Sequence, residues 1–595
     1  MKCIIQYHNK AKTEWLAFDN PVEVACAHEP ADVLPLLRQL EAVVQEGFCV
    51  AGYMTYEAAS GLDPALDTHP RGGNLPLVKF GIYKNMAHHD LFPLCGAEFQ
   101  VADWCPSLEL VAYERNVARI KEWIASGDTY QVNFTFKLKG QLSGSTPGWF
   151  ANLLHTQRPL YGAYIEDDDH IFCSASPELF FRLEGDQISC CPMKGTRGRG
   201  LSSVSDSAVA MQLMQSDKDR AENIMIVDMM RNDLGRIAET GTIAACRLFA
   251  VEQYPTLWQM VSTVGARTTA GFADIIQALF PCSSITGAPK KRTMEIIRTL
   301  EDQPRGIYTG TIGCLLPSHP ATGKHERFGT FNVAIRTAHV QAQSGEVEYG
   351  TGSGIVWDSV PEQEHRECQT KALILSESAR DFELLETLLW RPGLGWFLLR
   401  EHEERLSATA RYFDFNFDPG AWRTALDTAA ANLPATRHRV RATLAKSGEI
   451  HVESLPLPLG RTAWRVDLAA EPVDQKDPFL YHKTTHRIVY DQILSQHPDA
   501  DDVILWNQSG EITESCFANV IVKIDGEWYT PPVECGLLNG VLRQALVKRG
   551  RLQERIIRND DLRSAERVLL INSVRGFITL SSWSKDIPVL AKCLT

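Results

Sequence analysis

Apolar and polar positions repeat with two different periods along this chain, and the change of period marks its elements. Around Val33–Val44 apolar residues recur every three to four positions, the spacing that gives a helix one buried stripe. The same period returns over Met211–Arg231 and Lys290–Leu300, where Met294, Ile297 and Leu300 share a face. Short apolar runs at Ile171–Ser174, Leu179–Leu183 and Gln187–Cys191 predict strands. Between residues 106 and 375 the two kinds of segment alternate, separated by Gly-rich turns, and predict one large α+β domain. Residues 1–105, short strands with one helix, read as its N-terminal part. The pattern breaks at Ser376-Glu377-Ser378-Ala379-Arg380. A fresh strand then begins at Phe382–Leu385 and an amphipathic helix follows over Leu399–Phe413. A short linker at 376–381 is therefore expected before a second, smaller unit over 382–595.

Composition narrows the classes. At 595 residues the chain exceeds what one ordinary core holds, which agrees with more than one folding unit. Hydrophobic residues at 44% and charged residues at 22% exclude a disordered or fibrous chain. A net charge of −13 with no long basic tract argues against nucleic acid, which needs clustered Lys and Arg. An anionic substrate remains open to a local pocket of Arg, Lys and backbone N–H groups. The 15 cysteines are odd in number and contain no C-x-x-C pair, so neither a disulfide framework nor a zinc site is expected. Met1–Gln6 lacks a signal-peptide run and no stretch is long and apolar enough for a bilayer. No membrane partner and a cytoplasmic location are the expectations.

Several short motifs could carry chemistry. Lys194 lies on a Gly-flanked turn, Pro192-Met193-Lys194-Gly195-Thr196, after the Gln187–Cys191 run. Asp219 and Glu222 are three apart, as are Glu364 and Glu367, so each pair shares a helix face. Mg²⁺ is held by one or two carboxylates plus water and substrate oxygens, and one carboxylate from each helix would supply that. An exposed charged face is the commoner meaning of either pair alone. Ser284-Ile285-Thr286-Gly287-Ala288-Pro289-Lys290 reads as a Gly turn opening a helix, with Pro289 in its first turn and free N–H groups suited to a carboxylate. Gly350-Thr351-Gly352-Ser353-Gly354 reads as a backbone-donor loop or a bulged turn. Arg336 ends a strand-like run and is placed either to clamp a carboxylate or to form a surface ion pair.

Taken together and in this order, these blocks resemble the chorismate-utilising family, which includes anthranilate synthase, isochorismate synthase and aminodeoxychorismate synthase component I. The matching blocks are Ser176-Pro177-Glu178, Pro192–Thr196, Asp219–Asp233, Ser284–Lys290, Ala334–Thr337 and Gly350–Glu367. The resemblance implies a β-sandwich core with flanking helices and chorismate as substrate. It implies Mg²⁺ between Glu222 and Glu367, with Asp219 and Glu364 acting through water. Tyr308, Arg336, Gly352, Ser353 and Gly354 would hold the enolpyruvyl carboxylate, and Thr286 and Gly287 the ring carboxylate. Lys194 stands where anthranilate synthases carry Ala, which points to the aminodeoxychorismate branch. There Lys194 would add to ring carbon C2 while Glu178 protonates the departing C4 hydroxyl. Ammonia would come from a separate glutamine amidotransferase subunit, because no segment resembles one here. Gln259 stands where many relatives carry a histidine tied to loss of the enolpyruvyl group.

The second unit carries its own ordered set. Glu401–Ser407 contains Arg405; Tyr481–Arg487 contains Lys483; Gly510–Val520 contains Glu514. Gly536–Arg543 and Ile571–Gly576 follow. A pyridoxal phosphate (PLP) enzyme needs a lysine for the aldehyde, an acid for the pyridine nitrogen and a phosphate cup. Lys483 and Glu514 can supply the first two; Arg405, the N–H groups of Val541 and Leu542, and Ser573 can supply the third. The set resembles the fold-type IV PLP enzymes, which include branched-chain and D-amino-acid aminotransferases and aminodeoxychorismate lyase. The resemblance implies a smaller α/β domain with PLP and leaves room for a homodimer through it. Together the two resemblances imply amination of chorismate followed by loss of pyruvate to give p-aminobenzoate for folate synthesis. An amino-acid transaminase or an inert partner-binding module are the rival readings of the second unit, and anthranilate synthase that of the first.

Overall fold

The computed structural model describes residues 1–8, 12–94, 96–323, 326–375, 381–458 and 463–581. Residues 376–380 of the expected linker lie outside these. Contacts divide the chain into two compact units, Met1–Gly198 with Ala210–Ala379, and Arg199–Val209 with Arg380–Thr595.

The first unit is built on two antiparallel sheets of ten strands each among the described residues. One runs, edge to edge, through Gly287–Ala288, Gln131–Gly144, Glu346–Ile355, Thr337–Gln341, His170–Ser176, Tyr161–Glu166, Lys2–His8, Thr13–Phe18 and Ala87–His89. Its tenth strand, Phe99–Pro106, pairs beside Gln131–Gly144. The other runs through Met193–Gly198, Leu257–Arg267, Gln187–Cys191, Leu179–Glu184, Phe328–Val333, Thr311–Leu316, Cys49–Met54, Val78–Tyr83 and Glu23–Ala27. There Ala244–Gln253 pairs beside Leu257–Arg267. Strands from the first hundred residues thus complete both sheets. The helix Pro30–Gln45 buries Val33, Leu37, Leu40 and Val44 in one cluster with Phe80, Phe272, Ile276 and Phe331. Each such aliphatic side chain contributes about 1.5–3 kcal/mol on burial.

Two expectations change here. The helical stretch Met211–Arg231 is two helices, Ser203–Gln215 and Asp217–Gly235. The break falls at Ser216, which leaves the helical region and accepts the N–H of Asp219 with its hydroxyl, starting the second helix as an N-cap. Gly350–Gly354 is not a loop but the interior of the strand Glu346–Ile355, in register with Gln131–Gly144.

The second unit has a four-stranded sheet, Gly395–Trp396, Leu384–Arg391, His438–Leu444 and Ile450–Pro456. The helices Leu399–Phe413 and Pro419–Ala431 bury Leu406, Trp422 and Leu426 against its Leu388 and Val440. Its eight-stranded sheet is centred on Asn519–Ile524 and Arg567–Asn572. Among the described residues no helix is long and apolar enough to cross a membrane.

Candidate active sites

In the first unit a cavity of about 360 Å³ opens where the edge strand Met193–Gly198 meets the helices Asp217–Gly235 and Pro361–Ala372. Lys194, Glu178, Asp219, Glu222, Glu364, Glu367, Tyr308, Arg336, Gly352 and Gly354 all line it. The glycine run follows from this crowding. A Cβ at Gly354 would collide with Lys194 Nζ, and one at Gly350 with the Tyr308 ring. Lys194 is held from behind by Asn223, whose side-chain amide donates to the Lys194 carbonyl (3.3 Å). Glu178 is 3% exposed. Burial pushes its carboxyl up to about 7, although the Ser284 hydroxyl, donating at 2.6 Å, and nearby Lys194 pull it down. A buried acid beside a primary amine is the pairing that protonates a leaving group while a nucleophile adds.

The four carboxylates expected at a metal site face this cavity. Among the described residues no group of three His, Cys, Asp or Glu side chains is close enough to enclose a cation. Each acid has a substitute partner. Lys371 pairs with Glu367 (2.7 Å), Lys218 with Glu222 (3.9 Å), Arg197 with Asp219 (3.4 Å), and the Ser359 hydroxyl donates to Glu364 (2.7 Å). Burial holds Glu222 above the usual carboxylate range, and repulsion from Asp219 and Glu364 adds to it. A dication bound by carboxylates from two helices, water and substrate oxygens would relieve that repulsion, so the donor set fits Mg²⁺.

Three expected contacts face elsewhere. The Thr286 hydroxyl donates to the Cys282 carbonyl (3.1 Å). Gly287 pairs with Val132 as a two-residue strand, where the Thr286 carbonyl accepts the Asn133 N–H (2.8 Å), and neither Thr286 nor Gly287 lines the cavity. Pro289 precedes the helix Lys290–Leu300 rather than lying in its first turn, and Ser284 and Ile285 form the wall instead. Ser353 Oγ is within 3.0 Å of the Tyr113 hydroxyl, away from the cavity. Arg336, in the left-handed region at φ 49°, donates to Gln157 (2.9 Å) and stays buried under Tyr254. Sequence reasoning missed Lys371, which donates to the Gly352 carbonyl (2.9 Å), and Gln131, whose fully buried amide beside Lys194 and Gly354 has no partner among the described residues. Gln259, noted only for what it replaces, donates to the Gly195 carbonyl (2.9 Å) and accepts from Thr196 (2.9 Å).

The second unit contains a larger cavity, about 670 Å³, lined by Lys483, Glu514, Arg405, Val541 and Ser573. Burial and the neighbouring guanidinium groups of Arg405 and Arg487 lower Lys483 to about 8. Glu514 is 5% exposed and burial lifts it to about 7, against the Tyr490 hydroxyl donating at 2.8 Å. The helix Val541–Lys548 starts at this cavity with no side chain capping it. A Cβ at Gly540 would collide with Asn519, so backbone can come close there. An uncapped helix start suits a phosphate, and an amine of lowered pKa suits an aldehyde, so the residues present fit PLP. Leu542 could contribute only its backbone N–H. Its side chain is buried with Ile521 and Leu546 and does not line the cavity.

Arg405 reaches the cavity from a fixed base that sequence reasoning missed. Its Nε and a terminal nitrogen donate to both oxygens of buried Glu386 (2.8 and 2.6 Å), and His402 Nδ1 lies 2.7 Å from the same carboxylate. Burial outweighs Glu386 in lowering His402, so the imidazole donates as a neutral dipole and the ion pair proper is Arg405–Glu386. The available signal was one carboxylate within Leu384–Arg391 facing an i, i+3 His/Arg pair on Leu399–Phe413.

Residues 95–377 match the chorismate binding enzyme family and residues 383–583 the class IV aminotransferase family. Over 268 residues the chain is 38% identical to aminodeoxychorismate synthase component 1 of Bacillus subtilis, covering 45% of this chain and 55% of that one. It is 33% identical over 337 residues to anthranilate synthase component 1 of Saccharolobus solfataricus, covering 54% of this chain and 78% of the relative. The chain thus spans little more than half the length of the aminodeoxychorismate synthase relatives it matches. Among solved structures, anthranilate synthase component I of Streptococcus pneumoniae shares the fold at a TM-score of 0.52 and 22% identity, covering 62% of this chain and 93% of that one. With a Lys–Glu pair in a sandwich cavity and a second lysine in its own cleft, the chain belongs to the chorismate-binding enzymes and carries a class IV aminotransferase domain behind them.

Proposed function

We propose that the first unit aminates chorismate to 4-amino-4-deoxychorismate and that the second removes pyruvate from it to give p-aminobenzoate. The observation that carries the reading is Lys194 Nζ lying against the Gly354 backbone in one cavity with buried Glu178. In its uncharged form Lys194 adds to C2 of the ring. The two ring double bonds shift, and the C4 hydroxyl leaves as water with the Glu178 proton. Ammonia then adds at C4, the double bonds shift back, and the Lys194 amine departs from C2. A lysine is needed at that place to block C2, since ammonia adding there directly leads toward anthranilate. Arg336 and Tyr308 hold the enolpyruvyl end, and Glu222 and Glu367 would hold Mg²⁺, which supplies positive charge for the ring carboxylate. The ammonia is proposed to come from a separate glutamine amidotransferase subunit, with free ammonium as its substitute.

In the second unit Lys483 would hold the PLP aldehyde, Glu514 would face the pyridine nitrogen, and the Val541 helix start with Ser573 would take the phosphate. PLP supplies an electron sink for the carbon that bears the amine. Lys483 takes the proton from C4, the C3–oxygen bond breaks, and the ring gains its third double bond. The enolpyruvyl group leaves as the enol of pyruvate and tautomerises. The test is incubation with chorismate, Mg²⁺ and ammonium, with and without PLP. We expect p-aminobenzoate and pyruvate with PLP, and no amination by Lys194→Ala. Anthranilate from the unaltered protein would overturn the reading, and turnover of amino acids with keto acids would favour a transaminase in the second unit.

A further inference from the structure

A third cavity, about 340 Å³, lies in the first unit and has no part in the chemistry above. It is framed by the open end of the sandwich: Lys137, Lys139 and Glu348 on one sheet, and the turns carrying Arg71 and Arg305 on the other side. Its charges do not cancel. Lys137 and Lys139 share the single carboxylate of Glu348 (2.7 and 3.4 Å). Arg71 donates to the Gly73 carbonyl (2.6 Å) and has no carboxylate partner among the described residues. Arg305 is neutralised by buried Glu301 (2.7 Å), while Glu57 is occupied by the Arg305 and Gly306 N–H groups (2.7 and 3.0 Å). Counting the Glu57 carboxylate against these cations, one positive charge is left over. Deeper in, His170 and His339 lie 3.0 Å apart with their rings tilted at 60°, and burial keeps both imidazoles neutral at neutral pH. They offer flat, uncharged surface, with Ile307 and Leu75 nearby.

This cavity and the Lys194 cavity share two wall residues, Tyr308 and Gly350. The Tyr308 ring lies so close to the Gly350 backbone that no Cβ fits between them. A molecule pressing on one side of that wall must bias the position of Tyr308 on the other.

We propose that this cavity is a regulatory site for a small aromatic carboxylate, with the carboxylate held by Arg71 and Lys139 and the ring against the two imidazoles. The choice of p-aminobenzoate as its natural occupant rests on the reaction proposed above, whose end product has that chemistry. Binding there couples to the chorismate pocket through Tyr308 and so acts as feedback.

The test uses the full chain. Calorimetric titration with p-aminobenzoate, and with benzoate as a second probe, should give one saturable site. That site should persist in a Lys194→Ala/Lys483→Ala protein, and aniline, which lacks the carboxylate, should not fill it. Arg71→Ala/Lys139→Ala should weaken binding at least about tenfold, a loss of ~1.4 kcal/mol. Both side chains reach solvent, so the melting temperature should not move and kcat for ammonium-supported amination without ligand should stay unchanged. In the unaltered protein p-aminobenzoate should lower that kcat even at saturating chorismate, and the double variant should lose the effect. The proposal is overturned by absence of saturation at millimolar ligand, by unchanged binding in the double variant, or by inhibition that chorismate relieves completely. If the unaltered protein fails to aminate chorismate, the reaction assignment falls, while the titration still decides whether the pocket binds.

Discussion

Two groups displaced by burial set the pH behaviour of the two sites. Glu178 stands near 7 because burial outweighs the Ser284 hydrogen bond, and its proposed task requires the proton. The proton is present below about 7 and is lost as pH rises through it. With free ammonia held constant and Lys194 required uncharged at the same step, the pH profile of kcat for amination should bend near 7, and Glu178→Gln should lose about 10²–10⁴-fold and remove that bend. A flat profile in the unaltered enzyme would remove Glu178 from the acid role. Lys483 is displaced in the other direction, to about 8, by burial and by Arg405 and Arg487. Its charged form is strained in the folded state, so the cofactor-free protein carries a cost on the order of 3 kcal/mol below pH 8. That cost fades as pH rises from 8 toward the unfolded value near 10.5. Lys483→Met should thus stabilise the cofactor-free second unit at pH 7, and the gain should shrink at pH 10 in denaturant titrations. Equal stability of the two proteins at pH 7 would mean that Lys483 is solvated.

At the level of elements, the strand Leu384–Arg391 and the helix Leu399–Phe413 are joined by more than apolar packing. Glu386 sits on the strand with both oxygens bound by Arg405, and burial would raise it if Arg405 and His402 did not hold it at about 2. Its contribution is complete above the unfolded carboxylate value and is lost only as pH falls through 2. Glu386→Ala leaves Arg405 buried without its partner, so a destabilisation of roughly 3–5 kcal/mol is expected. It should appear as an early unfolding transition of the second unit with the first unit unchanged, and PLP uptake should weaken as well. Lys290–Leu300 and Leu399–Phe413 were legible in sequence because apolar stripes and local stop signals define them. Glu386 was not, because its meaning depends on side chains 16 and 19 positions away. Gly350–Gly354 was misread for a related reason. Glycine marks both turns and close approaches, and only the Tyr308 ring and Lys194 amine show that the second applies. Thr286 and Gly287 do not line the cavity, because the chain there runs as a two-residue strand along Gln131 and Val132 instead of opening a helix at the wall.

For the molecule as a whole, the informative fact is where each cavity gets its walls. The Lys194 cavity is lined by residues between 133 and 371, and the Lys483 cavity by residues between 387 and 575, each within its own compact unit. Neither constellation borrows a reactive group from the other unit, so a chain disabled in one remains intact in the other. Lys194→Ala and Lys483→Ala proteins, each unable to make p-aminobenzoate alone, should therefore restore its formation when mixed with chorismate, ammonium, Mg²⁺ and PLP. The intermediate must then cross solution, so the mixture should show a lag. Raising the concentration of Lys194→Ala protein should shorten that lag without changing the final rate, which the amination step sets. Adding the same protein to unaltered enzyme should shorten any lag there too if the intermediate is normally released. If the mixture makes no p-aminobenzoate while Lys483→Ala protein alone accumulates aminodeoxychorismate, the second cavity does not accept the free intermediate and the pairing of the two reactions fails.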